Sequence, residues 1–159
     1  MVIKIKYHDK DLQKIEKLQQ GDWLDLRSAE DVHLNIGDFK IISLGISMKI
    51  PEGYEAHIVP RSSTFKKWGL LQVNSLGIVD SSYSGNSDVY MFPAYCLRGK
   101  KVSKDDCEEL SIGDRYTEIK VGDKICQFRI MKKQPEIQFE EVEFMEDKDR
   151  GGFGSTDSK

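Results

Sequence analysis

Residues 122–131 read GDKICQFRIM, a Gly-Asp turn followed by a run in which apolar and polar side chains alternate. Cys126 and Phe128 share one face of this run, and Gln127 and Arg129 share the other. A period of two is typical of a β-strand that is buried on one side. The stretch therefore predicts a strand with one apolar face toward a core and one polar face that can contact solvent or a ligand.

The same pattern recurs along most of the chain. Short runs with strand composition lie at residues 3–7, 44–50, 54–59, 70–73, 89–92, 117–121 and, late in the chain, 137–144. Turn-forming residues separate them at 35–38, 51–53, 84–86 and 121–123. Only two short helical pieces are predicted, at residues 11–19 and 62–67, and Gly69 ends the second. Many short strands with turns between them predict an all-β fold, a sandwich or barrel of the jelly-roll kind.

Composition and charge exclude several classes of protein. With 159 residues, 38% hydrophobic and 32% charged, the chain has the size and composition of one globular domain. No apolar run approaches the roughly 20 residues that cross a bilayer, and the first residues contain no signal-peptide core. We therefore expect a cytoplasmic protein without a membrane segment. A net charge of −3 argues against general nucleic-acid binding.

The potential metal ligands are scattered. The three cysteines form no CxxC pair and the three histidines no HExxH spacing. We expect reduced thiols and no zinc site. Two segments have the composition of solvated chain: the charged residues 98–114 and the Gly/Ser-rich residues 148–159. The prediction is one β domain over residues 1–147 and a flexible arm over residues 148–159.

Residues 60–69, PRSSTFKKWG, contain a candidate anion site. Ser62 or Ser63 could cap a short helix whose free N–H groups favour an anion, and Arg61 precedes that helix. An arginine fork there could pair with phosphate oxygens. The alternative is a capped surface turn in which Arg61 forms an ordinary salt bridge.

Residues 74–86, NSLGIVDSSYSGN, contain a candidate general base. Asp80 follows two apolar residues and precedes a turn, so its carboxylate emerges from the end of a strand. Partial burial can tune the pKa of such a group, and Tyr83 offers a flat face to a sugar or base. The alternative is a turn that begins with an aspartate, with Tyr83 packed on its own strand.

Three further elements are ambiguous when taken alone. Residues 150–159, RGGFGSTDSK, could form an anion nest with a stacking aromatic residue, or could be a flexible end. Gln127 could donate to a phosphate oxygen, or could be a surface residue. Asp25, in QGDWLDLRS, has no distinguishing local feature.

In chain order, these five elements resemble the five motifs of the trimeric dUTPase family. The family patterns run roughly D-L-x-A, P-R-S-G, G-V-I-D-x-D-Y-x-G, G-D-R-I-A-Q and R-G-x-G-G-F-G-S-T-G. Here they stand as DLRS (25–28), PRSS (60–63), GIVDSSYSG (77–85), GDKICQ (122–127) and RGGFGST (150–156). Each motif alone is weak, but five in order are specific, and the forms look most like those of bacterial and bacteriophage members.

The resemblance implies a distorted jelly-roll or β-clip fold and hydrolysis of dUTP to dUMP and diphosphate. Asp80 looks like the base that activates water for attack on the α-phosphorus. Arg61 and Gln127 look like catalytic residues that hold the phosphates and orient the water. The resemblance also implies a substrate-binding set, which comprises Asn74 for the uracil edge, Gly77, Tyr83 under the deoxyribose, Ser62, Ser63, and, in a segment folding over the nucleotide, Arg150, Phe153, Gly154, Ser155 and Thr156.

The family also implies a cofactor and an assembly. Mg²⁺ would arrive on the triphosphate without direct protein ligands, and Asp25 would at most touch its water shell. The resemblance implies a homotrimer with sites shared between subunits, closed by the last motif of a neighbour.

Several positions depart from the family pattern. Ser82 stands where the third motif has a second aspartate, Asp157 stands where the tail has glycine, and the last motif is two residues short between Arg150 and Phe153. Two other functions stay open: a dCTP deaminase of the same fold, and a non-catalytic regulator that binds a protein partner. For such a partner, residues 98–114 would be the candidate surface.

Overall fold

Strands dominate the computed structural model, which describes residues 1–17, 19–102 and 115–149. Within these residues there are twelve strands and one short helix. They are β1 Lys4–Tyr7, β2 Leu24–Arg27, β3 Val32–Asn35, β4 Phe39–Ser43, β5 Ile46–Lys49, β6 Tyr54–Pro60, α1 Thr64–Trp68, β7 Leu70–Gln72, β8 Gly77–Asp80, β9 Met91–Cys96, β10 Lys101–Val102, β11 Arg115–Ile119 and β12 Lys124–Lys132.

The strands form four small antiparallel sheets around one core. Their strand orders are β2-β12-β6-β8, β4-β9-β7, β10-β11-β3 and β1-β5. This all-β architecture is of the jelly-roll type predicted from the alternating pattern. None of the helices formed by the described residues is long and apolar enough to cross a membrane.

Strand β12 lies at the centre of the largest sheet, between β2 and β6. As the alternation predicts, Cys126 and Phe128 are buried, whereas Gln127 and Arg129 are only partly buried. The register with β2 shifts between Lys124 and Cys126. A shift of this kind inserts one extra residue into a strand and turns its side chain, and Ile125 is fully buried beside Cys126.

The sheet β4-β9-β7 has an apolar outer face as well as an apolar inner face. Residues 42, 70, 92, 94 and 96 point inward and are buried. On the other side, Ile41 is 54% exposed, and it shares the outer face with Phe39, Leu71, Val73 and Met91, which are also exposed. An exposed apolar patch of this kind marks an interaction surface.

The helix predicted at residues 11–19 is wrong for the described residues of that segment. They follow a turn and an irregular path. A carboxylate oxygen of Asp9 accepts from the Asp11 N–H at 2.8 Å, and the Tyr7 hydroxyl accepts from the Ile15 N–H at 2.8 Å. Such side-chain bonds compete with helix hydrogen bonds. Leu12 is buried and Ile15 packs on the core, so their spacing reflects anchoring of an irregular segment.

The late strand predicted at residues 137–144 is also wrong. Residues 133–149 form no strand and are exposed throughout. Phe139 is 94% exposed. None of the described strands pairs with this segment, and its apolar side chains are exposed.

The second predicted helix is confirmed as α1, and Gly69 ends it with a φ of 70°. The Gly69 carbonyl accepts from the N–H groups of Leu97 and Arg98 at 3.0 and 3.2 Å. This contact brings two backbones together so closely that a Cβ at position 69 would lie 1.7 Å from the Arg98 carbonyl oxygen. Only glycine fits both the left-handed conformation and the contact.

We expect Gly69→Ala to lower the free energy of unfolding by about 3 kcal/mol or more, because steric overlap adds to backbone strain. Gly122→Ala is the matched control, since Gly122 has a φ of 87° but no neighbouring atom within 4 Å of the place that a Cβ would occupy. The control should cost only about 1–2 kcal/mol. Urea denaturation measures both, and equal losses would contradict the steric argument.

Candidate active site

Asp80 lies at the end of β8, where that strand forms the edge of the large sheet. Its Oδ1 accepts two hydrogen bonds from Ser82, one from the backbone N–H at 2.7 Å and one from the hydroxyl at 2.5 Å. These bonds stabilise the charged form, and together with the nearby Lys133 they lower the pKa of the Asp80 carboxyl below its ordinary value. The carboxylate is therefore ionised at neutral pH and able to accept a proton.

A cleft of about 510 Å³ opens beside Asp80. Its polar lining comes from Asn74, Asp80, Ser82 and Tyr83, and its remaining walls include Gly77, Ile78, Val79, Tyr90 and Met91. This volume lies within the usual range for small-molecule sites, which combine apolar walls with a few polar groups. The cleft is the right size for a nucleoside.

Tyr83 is fixed at the rim of this cleft. Its hydroxyl donates to the Val89 carbonyl at 3.2 Å, and its ring lies 6.4 Å from the ring of Tyr90, centre to centre. The Tyr90 side chain is buried, and burial raises the pKa of its hydroxyl well above the ordinary value. The Tyr90 hydroxyl therefore stays neutral, and Tyr83 can present a flat face to the cleft.

A second cluster surrounds Asp25 in β2. Arg61 Nε lies 2.7 Å from Asp25 Oδ1, and Lys124 Nζ lies 2.8 Å from Oδ2. A carboxylate oxygen has two lone pairs, so Oδ2 can accept a further hydrogen bond beside the Lys124 contact. Two cations around one carboxylate leave a local excess of positive charge, which suits a polyanionic ligand.

Strand pairing brings this cluster together. Asp25 is the register partner of Gln127 in β12, and Gln127 in turn faces Val59 in β6, just before Arg61. Gln127 Nε2 reaches the Pro60 carbonyl only at 3.4 Å, a long bond that a stronger acceptor could replace. Arg61, Gln127 and Asp25 therefore lie in one region.

The predicted cap of α1 is not formed. Ser63 occupies the N-cap position but makes no side-chain cap hydrogen bond. Thr64 takes over instead: its buried hydroxyl accepts from the Arg61 N–H at 2.9 Å and donates to the Ile125 carbonyl at 2.8 Å. Thr64 thus links the Arg61 segment to β12, and this link does not use the side chains of Ser62 and Ser63.

Within one chain the two clusters are far apart. Asp80 faces Glu55 near the start of β6, whereas Arg61 follows the end of that strand. At about 3.3 Å per residue the separation along the sheet is roughly 20 Å. A single chain therefore does not place Asp80 and Arg61 on the same phosphate group.

Comparison with known proteins identifies the family. The dUTPase family model matches residues 17–96. A prophage-derived deoxyuridine 5'-triphosphate nucleotidohydrolase, YosS of Bacillus subtilis (strain 168), is 50% identical over 159 residues, which is 100% of each chain. The chain belongs to the dUTPase family. Another relative, the deoxyuridine 5'-triphosphate nucleotidohydrolase of Finegoldia magna, is 36% identical over 84% of this chain and 82% of its own.

Solved dUTPases share the fold. A Staphylococcus bacteriophage 80alpha dUTPase with dUpNHpp matches with a TM-score of 0.75 and 23% identity, over 98% of each chain. The phage phi11 dUTPase, studied for its coordination of a structural Mg(II) ion, matches with a TM-score of 0.70 and 23% identity, over 91% of this chain and 100% of its own. The jelly-roll or β-clip type of fold expected from the motifs is thus confirmed.

The described residues offer few groups that could hold a metal ion directly. No group of three or more His, Cys, Asp or Glu side chains in this part of the chain could hold a metal ion. Both Asp25 oxygens already face cations, so direct ligation is disfavoured. Asp25 Oδ2 could still accept a hydrogen bond from a metal-bound water.

Sequence reasoning missed three contributors to these clusters. Lys124 belongs to the fourth motif, but its ion pair with Asp25 depends on strand pairing. In the sequence, Ser82 stands out only because it replaces a charged aspartate of the family motif. In the fold it donates two hydrogen bonds to Asp80. Gln72 reaches Asn74 through its side chain. The predicted residues Arg150, Phe153, Gly154, Ser155 and Thr156 lie outside the described residues.

The hydrogen bonds from Ser82 lead to a pH prediction. Because they lower the pKa of Asp80, its carboxylate stays deprotonated to lower pH. Ser82→Ala removes the hydroxyl donor, so the pKa of Asp80 should rise and the acid limb of kcat/KM should move to higher pH. Ser81→Ala, one residue away, is the control. Coincident acid limbs for the Ser82 variant and the unmodified protein would contradict this role.

Proposed function

We propose that the chain hydrolyses dUTP to dUMP and diphosphate, with Asp80 as the general base. The supporting observation is the ionised Asp80 carboxylate beside a cleft of nucleoside size. Oδ1 takes both Ser82 hydrogen bonds, so Oδ2 is the oxygen that accepts the proton. The water oxygen forms a bond to the α-phosphorus in line with the bond to the bridging oxygen, which breaks and leaves with diphosphate.

In this proposal the cleft binds the nucleoside. Asn74 reads the polar edge of uracil, and Gly77 forms part of the wall beside the base. The ring of Tyr83 lies under the deoxyribose, where a 2′-hydroxyl would be sterically excluded. The support is that these residues line one cleft with Asp80.

The Asp25 cluster binds the phosphates. Arg61 is tied to Asp25 through Nε and donates through Nη1 to the Lys124 carbonyl at 3.4 Å, which leaves Nη2 as a donor to phosphate oxygens. Lys124 adds charge, and Ser62, Ser63 and Gln127 add neutral donors. Since Asp25 orients both cations before substrate arrives, the entropic cost of ordering them on binding is smaller.

Magnesium is the cofactor in this proposal. The substrate phosphates would hold Mg²⁺, and Asp25 Oδ2 would accept a hydrogen bond from a water of its shell. When bound, the ion neutralises charge on the triphosphate and fixes its geometry.

We further propose a homotrimer with shared sites. Three features support it: the separation of Asp80 from Arg61 within one chain, the apolar outer face of the sheet β4-β9-β7, and the exposed apolar residues of segment 133–149. Ile41, Met91 and Pro93 belong to both the outer face and the cleft wall. A neighbouring chain on this face would complete the cleft. Residues 148–159 would form the closing arm, with Phe153 on uracil and Arg150, Gly154, Ser155 and Thr156 near the phosphates.

The proposal includes a cytoplasmic location. The described cysteines, Cys96 and Cys126, are free and buried, and burial raises the pKa of both thiols. Unpaired, protonated thiols suit a reducing compartment. The deaminase alternative is not favoured, because the relatives from Bacillus subtilis and Finegoldia magna are nucleotidohydrolases. A regulatory protein partner stays a prediction; of its candidate surface, residues 103–114 lie outside the described residues.

The general base is tested by Asp80→Asn, which keeps the shape but not the proton acceptor. We expect kcat for dUTP to fall by about 10²–10⁴-fold, while the KM stays within a few-fold of the unmodified value. Diphosphate release is measured with Mg²⁺ and dUTP, dTTP, dCTP or UTP, and only dUTP should turn over well in the unmodified protein. Ammonia release from dCTP would instead indicate a deaminase.

Shared sites are tested by mixing two inactive variants. If Asp80 and Arg61 of one site come from different chains, co-expressed Asp80→Asn and Arg61→Ala chains should restore activity in about a quarter of sites. Each variant alone, and the two mixed without subunit exchange, are the controls. Absence of recovery in trimers proven to be mixed by mass spectrometry would contradict shared sites.

A further inference from the structure

Gln72 is a polar side chain on the buried face of the sheet β4-β9-β7. It is 7% exposed and ends β7, where its register partner in β9 is the fully buried Ala94. A buried amide costs free energy unless it is hydrogen-bonded. An apolar residue at this inward position would avoid that cost in free energy. The presence of an amide here therefore suggests a role other than packing.

Both hydrogens of the Gln72 amide nitrogen are used. Nε2 donates to the Ile58 carbonyl at 3.1 Å and to Asn74 Oδ1 at 2.9 Å. The Ile58 carbonyl can only accept, so the nitrogen of Gln72 must face it. The opposite amide orientation would set two acceptors against each other. The orientation of Gln72 is therefore determined by the backbone of β6.

This fixed amide determines the orientation of Asn74 in turn. Because Gln72 Nε2 is a donor, Asn74 must present Oδ1 to it, and the Nδ2 amino group of Asn74 is left as the free end. Asn74 lines the cleft beside Asp80. The end of its side chain that remains for a ligand is a hydrogen-bond donor.

Gly77 makes room for this arrangement. A Cβ at position 77 would lie 3.4 Å from Gln72 Nε2 and 3.3 Å from Ile58 Cβ. The Gln72 amide therefore packs directly behind the part of the cleft wall that Gly77 forms. A larger residue at position 77 would press on the amide that orients Asn74.

We propose that Gln72 is a positioning residue for base selectivity. By locking Asn74 with its amino group free, it favours a pyrimidine with a carbonyl at position 4 and disfavours one with an amino group there. This inference rests on the proposed role of Asn74 in reading the base. With the amide locked, a 4-amino group would face another donor, and neither would have an acceptor.

The test measures binding, so that it does not depend on turnover. Isothermal titration with Mg²⁺ compares the imido analogue dUpNHpp with its deoxycytidine counterpart. In Gln72→Met, Asn74 loses its fixed partner and can rotate. We therefore expect the dissociation constant of the deoxycytidine analogue, divided by that of dUpNHpp, to fall about tenfold. Gln134→Met, the same change at an exposed position, should leave the ratio unchanged. Gln72→Leu repeats the test with a different apolar shape, should methionine disturb packing.

A double-mutant cycle with Asn74→Ala separates the possible outcomes. If Gln72 acts through Asn74, Gln72→Met should not narrow the ratio further in the Asn74→Ala background. If Gln72→Met weakened the binding of both analogues equally, or changed the binding of neither, the ratio would stay the same. Gln72 would then have no role in base selectivity, and the inference would be overturned. If Asn74→Ala itself left the ratio unchanged, the proposed role of Asn74 would fail, and with it the basis of this inference.

Discussion

The pairing of β12 with β2 on one side and β6 on the other connects the core to the Asp25 cluster. The same strand buries Ile125, Cys126 and Phe128 and places Gln127 beside Asp25. The register shift after Lys124 is essential to both roles, because it buries Ile125 without turning Gln127 inward. The Ile125 carbonyl then accepts from Thr64, which fixes the segment that carries Arg61. A slip of one residue in β12 would reverse every one of these side chains.

The ion pairs of Asp25 gather positive charge at one place in an acidic protein, as the proposed triphosphate site requires. The net charge of −3 gives no general attraction for an anion, so the site depends on local cations. The Asp25 side chain is only 11% exposed, and a carboxylate so placed needs partners. Arg61 and Lys124 supply them, and their combined charge exceeds that of Asp25. The carboxylate holds both cations close together, which the proposed phosphate binding requires.

Local patterns predicted the features that depend on one strand or one turn. The alternation in β12, the end of α1 at Gly69 and the emergence of Asp80 from β8 all follow from neighbouring residues. The helix predicted at 11–19 failed because the spacing of Leu12 and Ile15 fits an irregular anchored segment equally well, and side-chain hydrogen bonds decided between them. Gln72 could not be recognised, because its role depends on the Ile58 carbonyl, which only the fold brings within reach. The strand predicted late in the chain failed because its alternating residues pair with none of the described strands.

In the single chain, the open cleft beside Asp80 adjoins the exposed apolar face of the sheet β4-β9-β7. The cleft is walled by Ile41, Met91 and Pro93, which continue into the apolar outer face of the sheet β4-β9-β7. If a second chain covers that face, burial of apolar surface drives assembly, and the same contact closes the cleft and brings a distant phosphate cluster to Asp80. A nucleotide held by groups from two chains would then bind the assembled form more tightly than the separate chains. By mass action it would stabilise the assembly, so that oligomer stability and substrate binding would be two measures of the same contact.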